Sequence, residues 1–136
     1  AWEDRLIPSE RPLLCAVDDD ESVREALPDL LRELGFDVEA FASAEEFLAT
    51  DVVDRTQCLI LDIAMPGMSG PELQRHLRER NKIIPTVFIT AHADQSVRAL
   101  MLEQDAVECL FKPFSEDALL ATIRIALEVP RSPQPT

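Results

Sequence analysis

Two kinds of segment alternate along this chain, and that alternation constrains the fold more than any other feature of the sequence. Short apolar runs rich in β-branched residues are separated by stretches in which apolar residues recur at helical spacing. The runs predict strands at residues 13–17, 38–41, 58–61, 84–89 and 107–111. Strands that alternate with helices form βαβ units with right-handed crossovers. The sequence therefore predicts an α/β fold: a single doubly wound, five-stranded parallel sheet with helices on both faces.

The ends of the first predicted helix are marked by residues that commonly cap helices. Ser22 and Glu25 have the spacing of a capping box, which predicts a start there, and Gly35 is placed to end the helix. Pro28 lies inside this pattern, where it removes a hydrogen bond and clashes with the preceding turn. The sequence leaves two possibilities, a kinked helix or a different boundary.

Composition and charge argue against several classes of protein. The 136 residues are enough for one domain with a sizeable core, and no apolar run reaches the roughly 18 residues of a membrane span. A formal charge of −13 is unfavourable for direct nucleic-acid binding, which depends on lysine and arginine neutralising phosphates. The N-terminus is polar and has no initiating Met. We therefore expect no signal peptide, and a chain that was processed or cut from a longer one.

Three cysteines, Cys15, Cys58 and Cys109, lie inside apolar runs and far apart in the sequence. An odd number without a close pair argues against a disulfide framework or a zinc site. Buried free cysteines behave as small apolar residues. We expect unpaired thiols and a reducing, cytoplasmic compartment.

A single domain is predicted at residues 13–129, preceded by an N-terminal extension at 1–12. Residues 130–136 contain three prolines, which is typical of a linker or a frayed tail. The sequence shows no internal repeat and no second domain.

The residues suited to chemistry lie at one end of the predicted sheet. The first strand leads into Asp18 and Asp19, the third leads into Asp62, the fourth ends at Thr90 and the fifth leads into Lys112. In an open parallel sheet, ligands bind at the carboxyl ends of the strands, near the point where the strand order reverses. We therefore expect these five side chains to lie together.

A cluster of Asp18, Asp19 and Asp62 requires a compensating charge. Two carboxylates about 4 Å apart repel each other by about 4 kcal/mol at an effective dielectric constant of about 20. An all-oxygen site with open positions suits Mg²⁺, which keeps several waters and is often shared with phosphate oxygens. The alternative, acids that only solvate a loop or cap a helix, is favoured for Asp20 and Glu21.

Lys112 and Thr90 complete this candidate site. The lysine would supply a positive charge able to pair with Asp62 or with a phosphoryl oxygen, and the threonine would supply a hydroxyl donor. Taken alone, each has a simpler interpretation, a lysine whose stem lies along the surface and an ordinary strand-end threonine. A cis peptide bond between Lys112 and Pro113 would aim the lysine into the site, but the isomer is not readable from sequence.

Four short motifs in a fixed order connect these residues to a known family. They are VDD at 17–19, LDIAMPGMSG at 61–70, ITA at 89–91 and FKPF at 111–114. Over residues 13–127 the chain resembles the receiver domain of two-component response regulators, in particular the receivers of transcription-factor regulators. The resemblance implies a flavodoxin-like sheet with the strand order 2-1-3-4-5.

The resemblance also implies roles for the acidic residues. Asp62 would be the phosphoacceptor, a nucleophile that takes a phosphoryl group from the phosphohistidine of a histidine kinase or phosphotransfer protein. The cofactor Mg²⁺ would be held by Asp18, Asp19, Asp62 and the backbone carbonyl of Ala64. The domain would not be an enzyme for other substrates, since it would catalyse only its own phosphotransfer and dephosphorylation.

Lys112 and Thr90 would stabilise the phosphoryl group, and movement of Thr90 would switch the surface formed by the fourth helix, fifth strand and fifth helix. An output domain or a second copy of the chain would contact that surface. We expect no direct contact of this domain with nucleic acid or a membrane.

The sequence departs from the family pattern at two informative places. Cys109 lies three residues before the lysine, where an aromatic residue is usual in the family, and Asp105-Ala106 stands where Gly-Ala is common. Our hypothesis is that Thr90 acts here without a large aromatic partner. Ala64 and His92 occupy positions that vary in the family, and we expect them to tune how water reaches the acyl phosphate.

Three alternative functions fit part of the sequence. A phosphorylation-independent, receiver-like interaction module is the strongest of them, although it would not require the acids and Lys112. An aspartate-nucleophile phosphatase of the haloacid-dehalogenase type would use Asp18, but those enzymes need a cap or a longer core. A flavodoxin-like cofactor binder would need a phosphate-binding loop, which four consecutive acids at 18–21 oppose.

Overall fold

The computed structural model describes residues 11–91, 95–104 and 106–128. The strands are β1 (Leu13–Val17), β2 (Asp37–Phe41), β3 (Cys58–Asp62), β4 (Thr86–Thr90) and β5 (Glu108–Phe111). The helices are α1 (Glu21–Glu33), α2 (Ala44–Leu48), α3 (Gly70–Glu79), α4 (Gln95–Glu103) and α5 (Glu116–Glu128), with a short 3₁₀ helix at Asp51–Arg55. All strand pairs are parallel.

The strand order is β2-β1-β3-β4-β5, which confirms the predicted doubly wound sheet. The chain runs outward from β1 to β2 and then crosses to β3 on the other side of β1, so the order reverses between β1 and β3. In the register, Val17 lies beside Leu61, one residue before Asp18 and Asp62 respectively. The reversal point therefore brings these two aspartates together at the carboxyl edge of the sheet.

The sheet lies between two apolar cores, and every residue of β1, β3 and β4 is buried. Val17, Leu61 and Phe88 belong to the core beneath α2, α3 and α4. Ala16 and Ile60 belong to the core beneath α1 and α5. The two-residue alternation of strand side chains divides each strand between the cores. Full burial of one leucine contributes about 1.5–3 kcal/mol, so both faces hold the strand ends rigidly.

The first helix begins earlier than the sequence predicted, and the capping box at Ser22 and Glu25 was wrong. Asp20 is the N-cap, with extended backbone angles, and its carboxylate accepts a hydrogen bond from the Ser22 amide at 2.9 Å. The helix also continues through Pro28 to Glu33, so the proline does not mark a boundary. The proline ring is buried, and burial offsets part of the lost hydrogen bond.

Two further element ends follow from backbone chemistry. Gly35 follows α1 with a φ of +104°, a left-handed conformation that glycine adopts without strain, and this confirms the predicted helix end. The fourth strand begins at Thr86 rather than at residue 84. Pro85 precedes it and has no N–H with which to extend the ladder.

Arg11 ties the chain before β1 to the end of α1. Its guanidinium donates hydrogen bonds to the carbonyls of Gly35 and Arg32, both at 2.9 Å, and to that of Phe36 at 3.2 Å. These carbonyls lie at the negative end of the α1 dipole, where a cation is favourable. Among the residues described, no helix is long and apolar enough to cross a membrane.

Candidate functional site at the carboxyl edge of the sheet

Three carboxylates meet where the sequence analysis expected them. Asp62 is the last residue of β3 and is 6% exposed, Asp18 follows β1 and is fully buried, and Asp19 is exposed. One carboxylate oxygen from each residue lies within 4.8 Å of the others. The register of β1 and β3 creates this proximity, because both strands end at the same level. The group of oxygens is accessible to solvent at Asp19, its exposed member.

Repulsion in this cluster has a measurable consequence for Asp62. Burial, and then the charge of Asp18, raise the pKa of Asp62 from 3.8 to about 7. The positive charge of Lys112 acts in the opposite direction but is outweighed. Near neutral pH, the isolated cluster therefore favours either a proton or a cation at Asp62.

Lys112 makes its closest acidic contact with Asp18, although the sequence analysis considered Asp62 as its partner. The Lys112 Nζ lies 2.8 Å from Asp18 Oδ2. Burial disfavours the charged ammonium, but the contact with Asp18 and the charges of Asp18 and Asp62 outweigh it and raise the pKa of Lys112. The Lys112–Pro113 peptide bond is cis.

The two oxygens of Asp18 have different surroundings. Oδ1 accepts a hydrogen bond from the Asp20 amide at 2.9 Å. Oδ2 is buried and contacts the Lys112 ammonium at 2.8 Å. Three carboxylates with one ammonium against them leave an excess of negative charge, and such a set of oxygens fits a hard cation. Mg²⁺ prefers this type of oxygen set and retains waters on its open side.

Gly70 fixes the position of Asp62 and was not recognised from the sequence as a site residue. The Gly70 amide donates to the Ile63 carbonyl at 2.9 Å. A Cβ atom at residue 70 would lie 2.3 Å from the backbone oxygen of Asp62, which is closer than any contact allows. The N-terminus of α3 therefore packs directly on the peptide of Asp62. The sequence signals were the Gly-Pro pair at the helix start and the place of Gly70 at the end of the motif at 61–70.

The loop between β3 and α3 is anchored by two contacts where it enters α3. Ser69 and Glu72 form a reciprocal capping box at the start of α3. Glu45 of α2 accepts a hydrogen bond from the Met68 amide at 3.2 Å, which holds the loop against the neighbouring helix. Ala64 lies in this loop and is exposed.

Thr90 has an aromatic neighbour that the sequence analysis did not consider. Thr90 is 1% exposed, and the register pairs it with Phe111 of β5. The Lys112 amide donates to the Thr90 carbonyl at 2.7 Å. Phe111 is half-buried, and Cys109, two residues earlier, packs in the same core. Two-residue alternation on β5 was the signal that would have placed Phe111 beside the threonine.

Of the other residues singled out in the sequence, His92 lies outside the described residues, whereas the three cysteines are described. The cysteines are unpaired, as expected, and burial raises the pKa of Cys15 to about 11, that of Cys58 to about 12, and that of Cys109 above its ordinary value. Thiols with raised pKa values are poor nucleophiles and poor metal ligands.

Comparison with known proteins finds one matching family and several similar proteins. The response regulator receiver domain family matches residues 14–124 of the chain. The chain is 43% identical over 113 residues to the response regulator protein TodT of Pseudomonas putida, which covers 83% of this chain and 50% of TodT. It is 39% identical over 120 residues to nodulation protein W of Bradyrhizobium diazoefficiens, covering 88% of this chain and 53% of that protein.

A solved structure of the response regulator StyR is similar, with a TM-score of 0.78 and 49% sequence identity. The match covers 87% of this chain and 60% of the StyR chain. The chain thus spans about half the length of the curated relatives it matches.

Proposed function

Because the chain belongs to the response regulator receiver domain family, we propose that it is a phosphoacceptor in a two-component signalling system. Asp62 would take a phosphoryl group from the phosphohistidine of a histidine kinase or a phosphotransfer protein. The observation that carries this proposal is the placement of Asp62 at the reversal point, next to Asp18, Asp19 and a lysine.

The proposed step is a displacement at phosphorus. A carboxylate oxygen of Asp62 attacks the phosphorus, the bond from phosphorus to the donor imidazole nitrogen breaks, and the imidazole leaves with its electron pair. The product is an aspartyl phosphate. Rigid packing of β3 between two cores keeps the Asp62 carboxylate at the surface edge, where a donor can approach in line.

Asp18, Asp19 and Asp62, with the Ala64 backbone carbonyl, would hold Mg²⁺. When bound, the ion would supply positive charge against the three phosphoryl oxygens. Asp19 is the exposed member of the set, so it can bind or release a hydrated ion without opening the core.

Lys112 and Thr90 would stabilise the phosphoryl group once it is bonded to Asp62. The Lys112 ammonium would turn from Asp18 toward a phosphoryl oxygen, a short movement for a flexible stem. The Thr90 hydroxyl would donate to another phosphoryl oxygen. His92 and Ala64 would set how water reaches the acyl phosphate, and thereby its lifetime.

The output surface would be formed by α4, β5 and α5. Leu100 of α4 and Ile125 of α5 are large apolar side chains that are 49% and 57% exposed. Arg98 and Glu108 join α4 to β5 through an ion pair at 2.8 Å. A movement beginning at Thr90 would reach this surface, which would bind an output domain or a second copy of the chain.

We also propose that residues 13–129 form the receiver, with an N-terminal extension at 1–12 and a linker at 130–136. Relatives of about twice the length, among them the transcriptional regulatory protein FixJ of Azorhizobium caulinodans, support an output region that controls transcription. The receiver would act in the cytoplasm.

The test is phosphorylation by acetyl phosphate with Mg²⁺, measured as intact mass. We expect a phosphate-sized gain for the wild type and for Asp29→Asn, an exposed carboxylate on α1, and no gain for Asp62→Asn. If the wild type gains no mass, binding of beryllofluoride distinguishes rapid hydrolysis from inactivity. A wild type that neither gains mass nor binds beryllofluoride would favour the phosphorylation-independent interaction module.

The phosphatase alternative makes a different prediction, since it needs Asp18 as nucleophile. The structure disfavours that role, because Asp18 is fully buried with one oxygen bonded to the Asp20 amide and the other in contact with Lys112. Loss of phosphorylation in Asp18→Asn with retention in Asp62→Asn would nevertheless establish it.

A further inference from the structure

An arginine–carbonyl contact lies at the carboxyl edge of the sheet, near the start of α1. Arg24 is half-buried, and its Nη1 donates a hydrogen bond to the backbone carbonyl of Asp18 at 3.0 Å. We propose that Arg24 is a positioning residue that fixes the relative orientation of Asp18 and Asp19 for cation binding. This inference rests on the proposed function, because it concerns the same acidic pair.

The bond is placed where it controls both carboxylates. The carbonyl that Arg24 contacts belongs to the peptide unit linking Asp18 to Asp19. That unit is planar, so fixing its oxygen also fixes the direction in which the chain leaves toward Asp19. The bond therefore acts on the exposed ligand through the backbone of the buried one.

Two other bonds restrain the chain around this peptide. The Asp18 amide donates to the Phe41 carbonyl at 3.0 Å, which holds the end of β1. Asp18 Oδ1 accepts from the Asp20 amide at 2.9 Å, which closes a local turn across the Asp18–Asp19 peptide. The bond from Arg24 adds a restraint from α1 on the carbonyl oxygen of that peptide, and so ties the turn to the helix.

The position of Arg24 on its helix supports a specific use. It is the fourth residue of α1, close to the positive end of the helix dipole, where an arginine is electrostatically unfavourable. A guanidinium has several donors in a fixed plane, so it can reach back over the helix start to a carbonyl. The contact with Asp18 offsets the unfavourable placement.

Arg32 offers a matched control on the same helix. Its Nη2 donates to the backbone carbonyl of Val38 on β2 at 2.9 Å, which is the same kind of contact. Val38 pairs with Leu14, near the start of both strands, so this bond lies at the opposite end of the sheet from Asp62. A purely structural effect of losing an arginine–carbonyl bond should be similar in both variants.

Removal of Arg24 changes the Mg²⁺ affinity in opposite directions, depending on whether the arginine positions the ligands or acts only through its charge. Removing a cation near a dication site lowers repulsion, and that effect alone would tighten binding of the ion. Removing a restraint on two ligands loosens the site and weakens binding. The sign of the change in affinity therefore separates the two roles.

The first experiment is a calorimetric titration of MgCl₂ into the wild type and the variants Arg24→Ala, Arg24→Lys and Arg32→Ala. The second measures the rate of labelling by acetyl phosphate for the same proteins over a range of Mg²⁺ concentrations. We expect Arg24→Ala to bind Mg²⁺ more weakly, on the order of 10-fold. Its labelling rate should approach that of the wild type at saturating Mg²⁺. Arg24→Lys, which keeps a charged donor, should recover part of the affinity, and Arg32→Ala should bind as the wild type does.

Equal or tighter Mg²⁺ binding by Arg24→Ala would overturn the inference, and so would an equal loss in Arg32→Ala. If Arg24→Ala fails to fold, the comparison of Arg24→Lys with the wild type decides by the same criterion. The proposed function is judged separately, from the wild type alone. A wild type that is labelled at Asp62 while Arg24→Ala binds Mg²⁺ normally would overturn the inference only, whereas a wild type that neither binds Mg²⁺ nor is labelled would overturn both.

Discussion

The ammonium of Lys112 lies 2.8 Å from the buried Oδ2 of Asp18, so the lysine at the end of β5 is paired with the acid at the end of β1. Asp62, between them in the strand order, is left with a raised pKa. In this structure the lysine thus balances the charge of Asp18, a neighbour of Asp62. A phosphoryl group or a metal ion would change this pairing, and several measurable consequences follow from it.

The ion pair between Lys112 and Asp18 should contribute to stability. Lys112→Met leaves the Asp18 charge without its partner, and we expect a loss of roughly 1–3 kcal/mol in the free energy of unfolding. Lys82→Met is the control, because Lys82 pairs with Asp54 where both side chains are well exposed. Its loss should be below about 1 kcal/mol. Urea denaturation measures both, and equal losses would contradict the assigned importance of the buried pair.

The raised pKa of Asp62, caused first by burial and then by the charge of Asp18, predicts how stability depends on pH in the absence of metal. Because the folded pKa of about 7 lies above the ordinary value of 3.8, folding favours the protonated form. That contribution is complete below pH 3.8 and is lost as the pH rises through about 7. Asp62→Asn should therefore stabilise the metal-free domain more at pH 8 than at pH 5.5, by on the order of 1 kcal/mol.

Thermal unfolding in EDTA at the two pH values measures this difference. Asp29→Asn, which changes an exposed carboxylate on α1, should show little dependence on pH. An Asp62→Asn effect of the same size at both pH values would show that burial and the charge of Asp18 do not raise the pKa of Asp62.

The close approach of Gly70 to Asp62 predicts a strong effect of one methyl group. Gly70→Ala places a Cβ atom against the Asp62 backbone, so α3 must shift away from β3, with an expected loss of about 1–3 kcal/mol in stability. The shift should also slow acetyl phosphate labelling at saturating Mg²⁺. The cause is steric and local to the site.

Gly35→Ala is the matched control for that variant. A Cβ atom at residue 35 meets nothing within 4 Å, but its φ of +104° is unfavourable for alanine. We expect a stability loss of about 1 kcal/mol with an unchanged labelling rate. Normal labelling of Gly70→Ala, measured by intact mass over time, would show that α3 does not position Asp62.

Phe111 lies beside Thr90, so we expect Phe111 to be the β5 side chain that transmits the binding of beryllofluoride to α4. Phe111→Ala should reduce the chemical-shift changes that beryllofluoride causes at Val97 and Met101 of α4, which pack in the same core. Cys109→Ala should leave those changes largely intact, because the thiol is small and lies two residues from the Thr90 register position. Methyl NMR measures these chemical-shift changes. A larger reduction in Cys109→Ala than in Phe111→Ala would show that position 109, and not Phe111, couples Thr90 to α4.

The fold was largely predictable from local patterns. Apolar runs and helical periodicity predicted five strands, five helices and a doubly wound sheet, and Asp18, Asp19 and Asp62 converge because parallel strands share a carboxyl edge. The start of α1 was wrong, because Asp20 caps the helix in place of Ser22. Pro28 left the helix boundary open in the sequence, and the structure places it inside α1 with its ring buried.

The sequence by itself determined the element types, the sheet edge that carries the polar residues, and the chemistry those residues offer. Only the tertiary structure decided that Lys112 contacts Asp18, that Gly70 packs on the Asp62 peptide and that Arg24 bonds the Asp18 carbonyl. The periodicity of apolar residues shows which face of a helix or strand a side chain lies on, but it does not give the distances between atoms of different helices and strands. Those distances are set by how helices pack on the sheet, to within fractions of an ångström, and depend on all the side chains between them.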